Sequence, residues 1–156
     1  MTATDATPTR ERRPLTPGEI GLARGVFGAA IDYARVRLVP RKWAFFQPRD
    51  TVMAPWGHIH FHPRSPWWCA DFAASTLAAK ALFLHEMVHV WQHQAGHWLP
   101  IERHPFCRYG YTLEPGKPFA RYGIEQQAEI VRHVFLAREQ GSDAGPLTAI
   151  LPFSPA

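Results

Sequence analysis

Two stretches of the chain repeat apolar residues at helical spacing, and most of the predicted architecture hangs on them. In the first, around LFLHEMVHVWQHQAG (Leu82 to Gly96), Ala78, Ala81, Leu82, His85, Val88, His89 and Gln92 follow the i, i+3, i+4, i+7 rule. Gly96 stands just beyond the pattern as a natural C′ residue. The second, Phe119 to Gln140, puts Ile124, Ala128, Val131 and Phe135 on one stripe and stops at Gly141. A third helix starts with Thr16 as N-cap, Pro17 at N1 and Glu19 as capping-box partner. It should run to about Asp32, with Ile20, Phe27 and Ile31 on its buried face.

Strand patterns lie between these helices. Ala34 to Val39 (ARVRLV) alternates at period two, while Trp43, Phe45, Phe46 and Pro48 read as strand or packed loop. Thr51 to Pro63 is broken by Pro55 and Gly57, then alternates through His58, Ile59, His60, Phe61 and His62, which predicts a hairpin with three histidines on one polar face. Asp71 or Ser75 is expected to cap the first long helix, and Tyr109 to Leu113 to make a short strand inside the Pro- and Gly-rich connection from His97 to Pro118. No period repeats, which excludes solenoids and propellers. The pattern is α+β: a small mixed sheet with a hairpin at its edge, packed on two long helices.

The long helices carry the candidate chemistry. His85, Glu86 and His89 form H-E-x-x-H in mid-helix, where i and i+4 imidazoles share a face and converge on one cation. A catalytic zinc takes three protein ligands plus water, so a carboxylate from elsewhere completes the set. Glu125 and Glu129, one turn apart on the second helix, are placed to supply it, one as ligand and the other bracing a ligand histidine. Spacing alone does not say which does which. His93 and His97 rank below them, the first further round the helix and the second beyond its terminating glycine. The plainer alternative is a buried helix whose histidines only hydrogen-bond in the core. The histidines of the hairpin are too far apart along one strand to close a tetrahedral site by themselves.

The run Glu125-x-x-Ala128-Glu129 resembles the E-x-x-A-D signature of minimal gluzincin peptidases. The resemblance implies a zincin-like fold, Glu125 as third zinc ligand and Glu129 as the brace. A metzincin would continue with glycine and histidine where Gln92 and Ala95 stand, so that class fails. The hairpin followed by L-x-H-E-x-x-H-V-x-Q-x-x-x-G is also similar to small zincin domains from bacterial contractile injection and type VI secretion loci. The segments LTPGEIGLARGVFGAAIDYARVRL, QPRDTVMAPWGHIHFHP and RYGIEQQAEIVRH look like proteins named only "vgr-related". That likeness implies a secretion-system component as partner.

Together these readings predict a zinc-dependent hydrolase, most readily a peptidase, binding one Zn2+. Glu86 would be the general base, and Tyr122, His133, Tyr109 and Tyr111 the candidates for stabilising the oxyanion. The alternative is a zinc-stabilised structural or adaptor module without turnover. Composition adjusts the picture only at its edges. A chain of 156 residues with 46% hydrophobic content can bury one core, so residues 15–156 are expected as a single domain. The first 14 residues, poor in apolar side chains, are expected as a flexible tail with no signal peptide or membrane anchor, which points to the cytoplasm. The net charge of +4 is dispersed with no dense basic run, which weakens a nucleic-acid reading, and it is the zincin resemblance that implies a peptide or protein substrate. Cys69 and Cys107 lack metal spacing and are expected as reduced packing residues.

Overall fold

A computed structural model of the chain describes residues 10–102 and 108–155. The elements in order are β1 (Arg13–Pro14), α1 (Pro17–Phe27), β2 (Arg37–Val39), β3 (Val52–Met53), β4 (Ile59–Phe61), α2 (Leu77–Gln94), α3 (Leu99–Glu102), α4 (Ile124–Glu139) and α5 (Gly145–Thr148). The four strands make one mixed sheet in the order β1-β2-β4-β3. β2 and β4 run parallel with Leu38 opposite Ile59, and the antiparallel β3 and β4 form the expected hairpin, with Val52 opposite Phe61. Ile59 and Phe61 are buried while His60 between them is half-buried, so the period-two pattern points its apolar side into the core. Burial is the main reason that the His58 and His60 imidazoles are held below the usual histidine range.

Chain segments read as tail are part of the sheet. Arg13 and Pro14 pair antiparallel with Leu38 and Arg37 of β2, and Arg10 donates to the carbonyls of Pro63 and Ser65 at 2.9 and 3.0 Å. The anchor is Glu19, wholly buried in the first turn of α1. Its carboxylate accepts two bonds from Arg13 (3.0 and 2.8 Å), one from Thr16 N (2.9 Å) and one from Phe72 N (2.9 Å). The capping box foreseen from Thr16 and Glu19 is therefore also an ion pair that draws in the N-terminal strand.

Several element boundaries differ from expectation for local reasons. α1 stops at Phe27, not near Asp32, because Gly28 takes φ +54° and lies against the C-terminal segment. A Cβ on Gly28 would stand 1.9 Å from the Ser154 carbonyl oxygen. The first half of the expected strand Ala34–Val39 is a 3₁₀ turn, Tyr33–Arg35. α2 is capped by Thr76, whose hydroxyl accepts from Ala79 N at 3.2 Å. Asp71 caps the preceding 3₁₀ turn, Phe72–Ala74. The helix expected from Phe119 begins as another 3₁₀ turn, Phe119–Arg121, with α4 following at Ile124. Tyr109 to Leu113 is irregular and forms no strand. The segment 43–48 is a loop, in which Phe45 and Phe46 are exposed.

α2 is buried on all sides from Phe83 to Val90 and packs chiefly on α4. Phe61, Phe72 and Phe83 stack in series across sheet, turn and helix, with centroids 5.8 and 5.5 Å apart. Phe153, near the C-terminal end, sits between Phe27, Trp91 and Phe119. Both long helices end in a Schellman motif. Gly96 N and His97 N donate to the His93 and Gln92 carbonyls, and Gly141 N and Ser142 N to those of Arg138 and Ala137. Among the described residues Cys69 is a free, half-buried thiol whose pKa burial raises; Cys107 lies outside them.

Candidate metal centre

The interior of α2 and the first turn of α4 bring His85, His89 and Glu125 together, at 6%, 0% and 1% exposure. α2 supplies both imidazoles one turn apart, and their rings stand 5.1 Å apart. Gly123 starts α4, with its N–H donating to Gln126 Oε1 at 2.9 Å, which puts Glu125 in the first turn and facing α2. Glu125 Oε2 lies 3.3 Å from His85 Nε2 and 3.2 Å from His89 Nε2. All three donors fall within 4.8 Å of one another.

Each imidazole is held from behind through its other nitrogen. His85 Nδ1 meets Glu129 Oε1 at 3.0 Å, and His89 Nδ1 meets Gln92 Oε1 at 2.8 Å. Both outer partners are oxygen acceptors, so each Nδ1 carries a proton and each Nε2 turns inward. This arrangement suits a metal ion. Two imidazole nitrogens and one carboxylate are a common three-ligand set, and ligands at about 2.0–2.1 Å around a tetrahedral ion stand about 3.3 Å apart. Two of the three inter-donor distances have that value. The group of His85, His89 and Glu125 can hold a metal ion.

Burial alone would depress the His85 pKa, but hydrogen bonds that the imidazole donates to the Glu125 and Glu129 carboxylates and the charge of Glu86 outweigh it and raise the value to about 9. Glu129 moves the opposite way, chiefly because of its bond to His85. Arg132 and His133 also approach its second oxygen, at 3.3 and 3.5 Å. Glu86 follows His85 on α2 and is buried, with 3% exposure.

The remaining candidates take different places. Tyr122 is buried; its hydroxyl accepts from Glu114 N at 3.1 Å and its ring lies under Lys117 Nζ at 4.6 Å. His133 is exposed on α4 and pairs with the Tyr111 hydroxyl at 2.6 Å, reaching the centre only through Glu129. Tyr109, half-exposed, stacks over His85 with centroids 6.3 Å apart and planes 17° apart. His93 packs against Trp56, and His97 pairs with Glu102 at 2.9 Å; neither belongs to the group around Glu125. Beside Glu125 opens a cleft of about 530 Å³ lined by His97, Glu102, Arg108, Tyr122 and Gln126, among others. Sequence reasoning missed the structural role of Gln92. Its place on the same stripe as His85 and His89, three residues after the second, was the available signal.

The molecule is thus an α+β domain in which a small mixed sheet packs on helices bearing a buried His-His-Glu group. The solved effector domain of Pseudomonas aeruginosa VgrG2b has this fold, with a TM-score of 0.81 and 42% sequence identity over 89% of this chain and 83% of that one. The type VI secretion system spike protein VgrG2b of Pseudomonas aeruginosa is 44% identical over 140 residues, which are 85% of this chain and 14% of the spike protein. The chain belongs to the family of VgrG2b effector domains. It spans about one-seventh of the curated spike protein's length. No family model matches the sequence. No helix among the described residues is long and apolar enough to cross a membrane.

Proposed function

We propose that this domain is a zinc-dependent peptidase of gluzincin type, acting as an effector of a type VI secretion system on a peptide or protein substrate. The observation that supports it most is the convergence of His85 Nε2 and His89 Nε2 on Glu125 Oε2 with Glu86 adjoining on the same helix. His85, His89 and Glu125 would hold the ion, and Glu129 would brace His85. Zinc, when bound, supplies Lewis acidity that makes water a nucleophile near neutral pH.

The chain's own residues do the rest. Glu86 takes the proton of the attacking water and returns it to the leaving amine, which breaks the amide bond. The cleft alongside Glu125 receives the substrate, and Arg108, His97 and Glu102 on its walls offer charge and hydrogen bonds to an extended peptide. Tyr109, stacked on His85 and half-exposed, is the tyrosine best placed to donate to the developing oxyanion. Tyr122 supports the cleft wall, its hydroxyl already serving Glu114 N.

The test is metal analysis of protein purified without added metal, followed by cleavage assays on a denatured-protein and peptide panel with wild type and Glu86→Gln. Zinc near one equivalent in both proteins, with cleavage by wild type alone, is the expected result. Absence of bound metal would refute the site. Equal metal binding with no cleavage by either protein, on the panel and in a bacterial toxicity assay, would replace the peptidase by the zinc-stabilised adaptor module.

A further inference from the structure

His85 and His89 are oriented by chemically unlike partners. His85 leans on a charged carboxylate at the surface side of the cluster, whereas His89 leans on the neutral amide of Gln92 in the fully buried interface of α2 and α4. Gln92 is not free to choose which end it offers. Its Nε2 lies 3.0 Å from the Ile124 carbonyl, and a backbone carbonyl only accepts, so the amide's NH2 must face Ile124. The same NH2 gives its second hydrogen to Gln127 Oε1 at 2.9 Å.

Gln127 is fixed in the same way. Its Nε2 faces two backbone carbonyls, Tyr122 at 3.0 Å and Phe119 at 3.4 Å, so its oxygen must point toward Gln92. Orientation therefore passes in one direction: two carbonyls of the turn before α4 set Gln127, Gln127 and the Ile124 carbonyl set Gln92, and Gln92 sets His89. Because Gln92 can present only its oxygen, His89 Nδ1 must be the donor, and in the neutral ring the lone pair stays on Nε2, opposite Glu125. Ile124, which receives the Gln92 bond, is the residue immediately before Glu125. One amide thus ties a ligand of α2 to the backbone that carries the ligand of α4.

We infer that Gln92 and Gln127 form a buried amide relay that sets the tautomer of His89 and its register with Glu125, and so are positioning residues for the metal. The inference rests on the metal-binding reading above. A leucine at position 92 would fill the space but release His89 Nδ1 from its acceptor and leave the Ile124 carbonyl without its donor. Loss of such an outer partner costs metal sites 10–100-fold in affinity. Gln127→Leu should cost less, since the Ile124 carbonyl still fixes the amide of Gln92.

Zinc affinity is measured by chelator competition on wild type, Gln92→Leu and Gln127→Leu, with circular dichroism of each metal-free protein as the control for folding. Long-range proton–nitrogen spectra of zinc-loaded, histidine-labelled wild type add a reading that needs no variant. The expected results are a folded Gln92→Leu with zinc affinity reduced 10–100-fold, a smaller loss for Gln127→Leu, and His89 in wild type protonated at Nδ1 with Nε2 on the metal. Unchanged affinity in folded Gln92→Leu, or wild-type His89 protonated at Nε2, would overturn the relay and leave the metal site standing. Wild type that binds no zinc would overturn both. If Gln92→Leu does not fold, the wild-type spectrum decides.

Discussion

Removing the Glu19 carboxylate tests whether the N-terminal strand is held by that one group. In Glu19→Ala, Arg13 loses both of its carboxylate bonds, and the N–H groups of Thr16 and Phe72 lose their acceptor. Breaking a buried ion pair from one side costs about 3–5 kcal/mol, because the remaining charge stays behind uncompensated. The Arg13 side chain is 19% exposed and keeps its bond to the Cys69 carbonyl, which places the loss at the lower end, about 3 kcal/mol. That is a large share of a typical domain stability of about 5–15 kcal/mol. Equilibrium urea unfolding of metal-free protein would show it as a lower midpoint with an unchanged slope. In Arg13→Met/Glu19→Met, with both charges gone, part of the loss should return, but not the part due to the Thr16 and Phe72 amides. A loss under about 1 kcal/mol in Glu19→Ala would refute the reasoning, since the four bonds would then be decorative.

Three further outcomes follow from the geometry. His85 has a folded-state pKa raised to about 9 from 6.5, so in metal-free protein its contribution is complete below pH 6.5 and lost as pH climbs through 9. Glu129, shifted down, contributes above its unfolded value and loses that contribution on acidification, so thermal melts in chelator should decline on either side of a mildly acidic maximum; no change in melting temperature between pH 6.5 and 9 would contradict this. The alkaline decline amounts to about 3 kcal/mol at most. Glu129→Ala should weaken zinc binding about 10–100-fold by chelator competition, and in metal-free protein the alkaline decline should begin at lower pH, because His85 loses one of the two hydrogen-bonded carboxylates that raise its pKa. Gly28→Ala should destabilise by about 2 kcal/mol or more, since the new Cβ meets the Ser154 carbonyl at 1.9 Å on a positive-φ residue; faster trimming of the C-terminal segment by carboxypeptidase would report it.

The parts legible in the sequence were those in which local chemistry and tertiary demand coincide. Thr16, Pro17 and Glu19 define a helix start at three-residue range, and the stripe of Ile124, Ala128, Val131 and Phe135 is buried as its period required. That His85 and His89 share one face with a carboxylate of the second helix was readable because metal chemistry restricts residue type and helix geometry restricts spacing, whereas spacing left Glu125 and Glu129 open and only the E-x-x-A-D resemblance singled out Glu125. β1 was not readable. Two residues, Arg13 and Pro14, show no alternation, and their strand exists because a buried carboxylate and the edge of β2 capture them. The choice of Thr76 over Ser75 or Asp71 as cap also lay beyond reach, since three capping residues within six positions are separated only by where the preceding 3₁₀ turn leaves the backbone. Gln127 looks like an ordinary helix-surface residue, and Gln92, although on the predicted stripe, shows no partner until the packing of α2 on α4 removes both from water.

Phe153 has a mechanical consequence. Its ring touches Phe27 at the end of α1, Trp91 on α2 and Phe119 at the entrance to α4, at centroid distances of 4.8, 4.9 and 6.0 Å. Tension applied at the C-terminal end would enter the body through a ring packed at once on the end of α1, on α2 and on the turn that leads into α4. Pulled from that side, the domain should resist until Phe153 is extracted from its three aromatic neighbours.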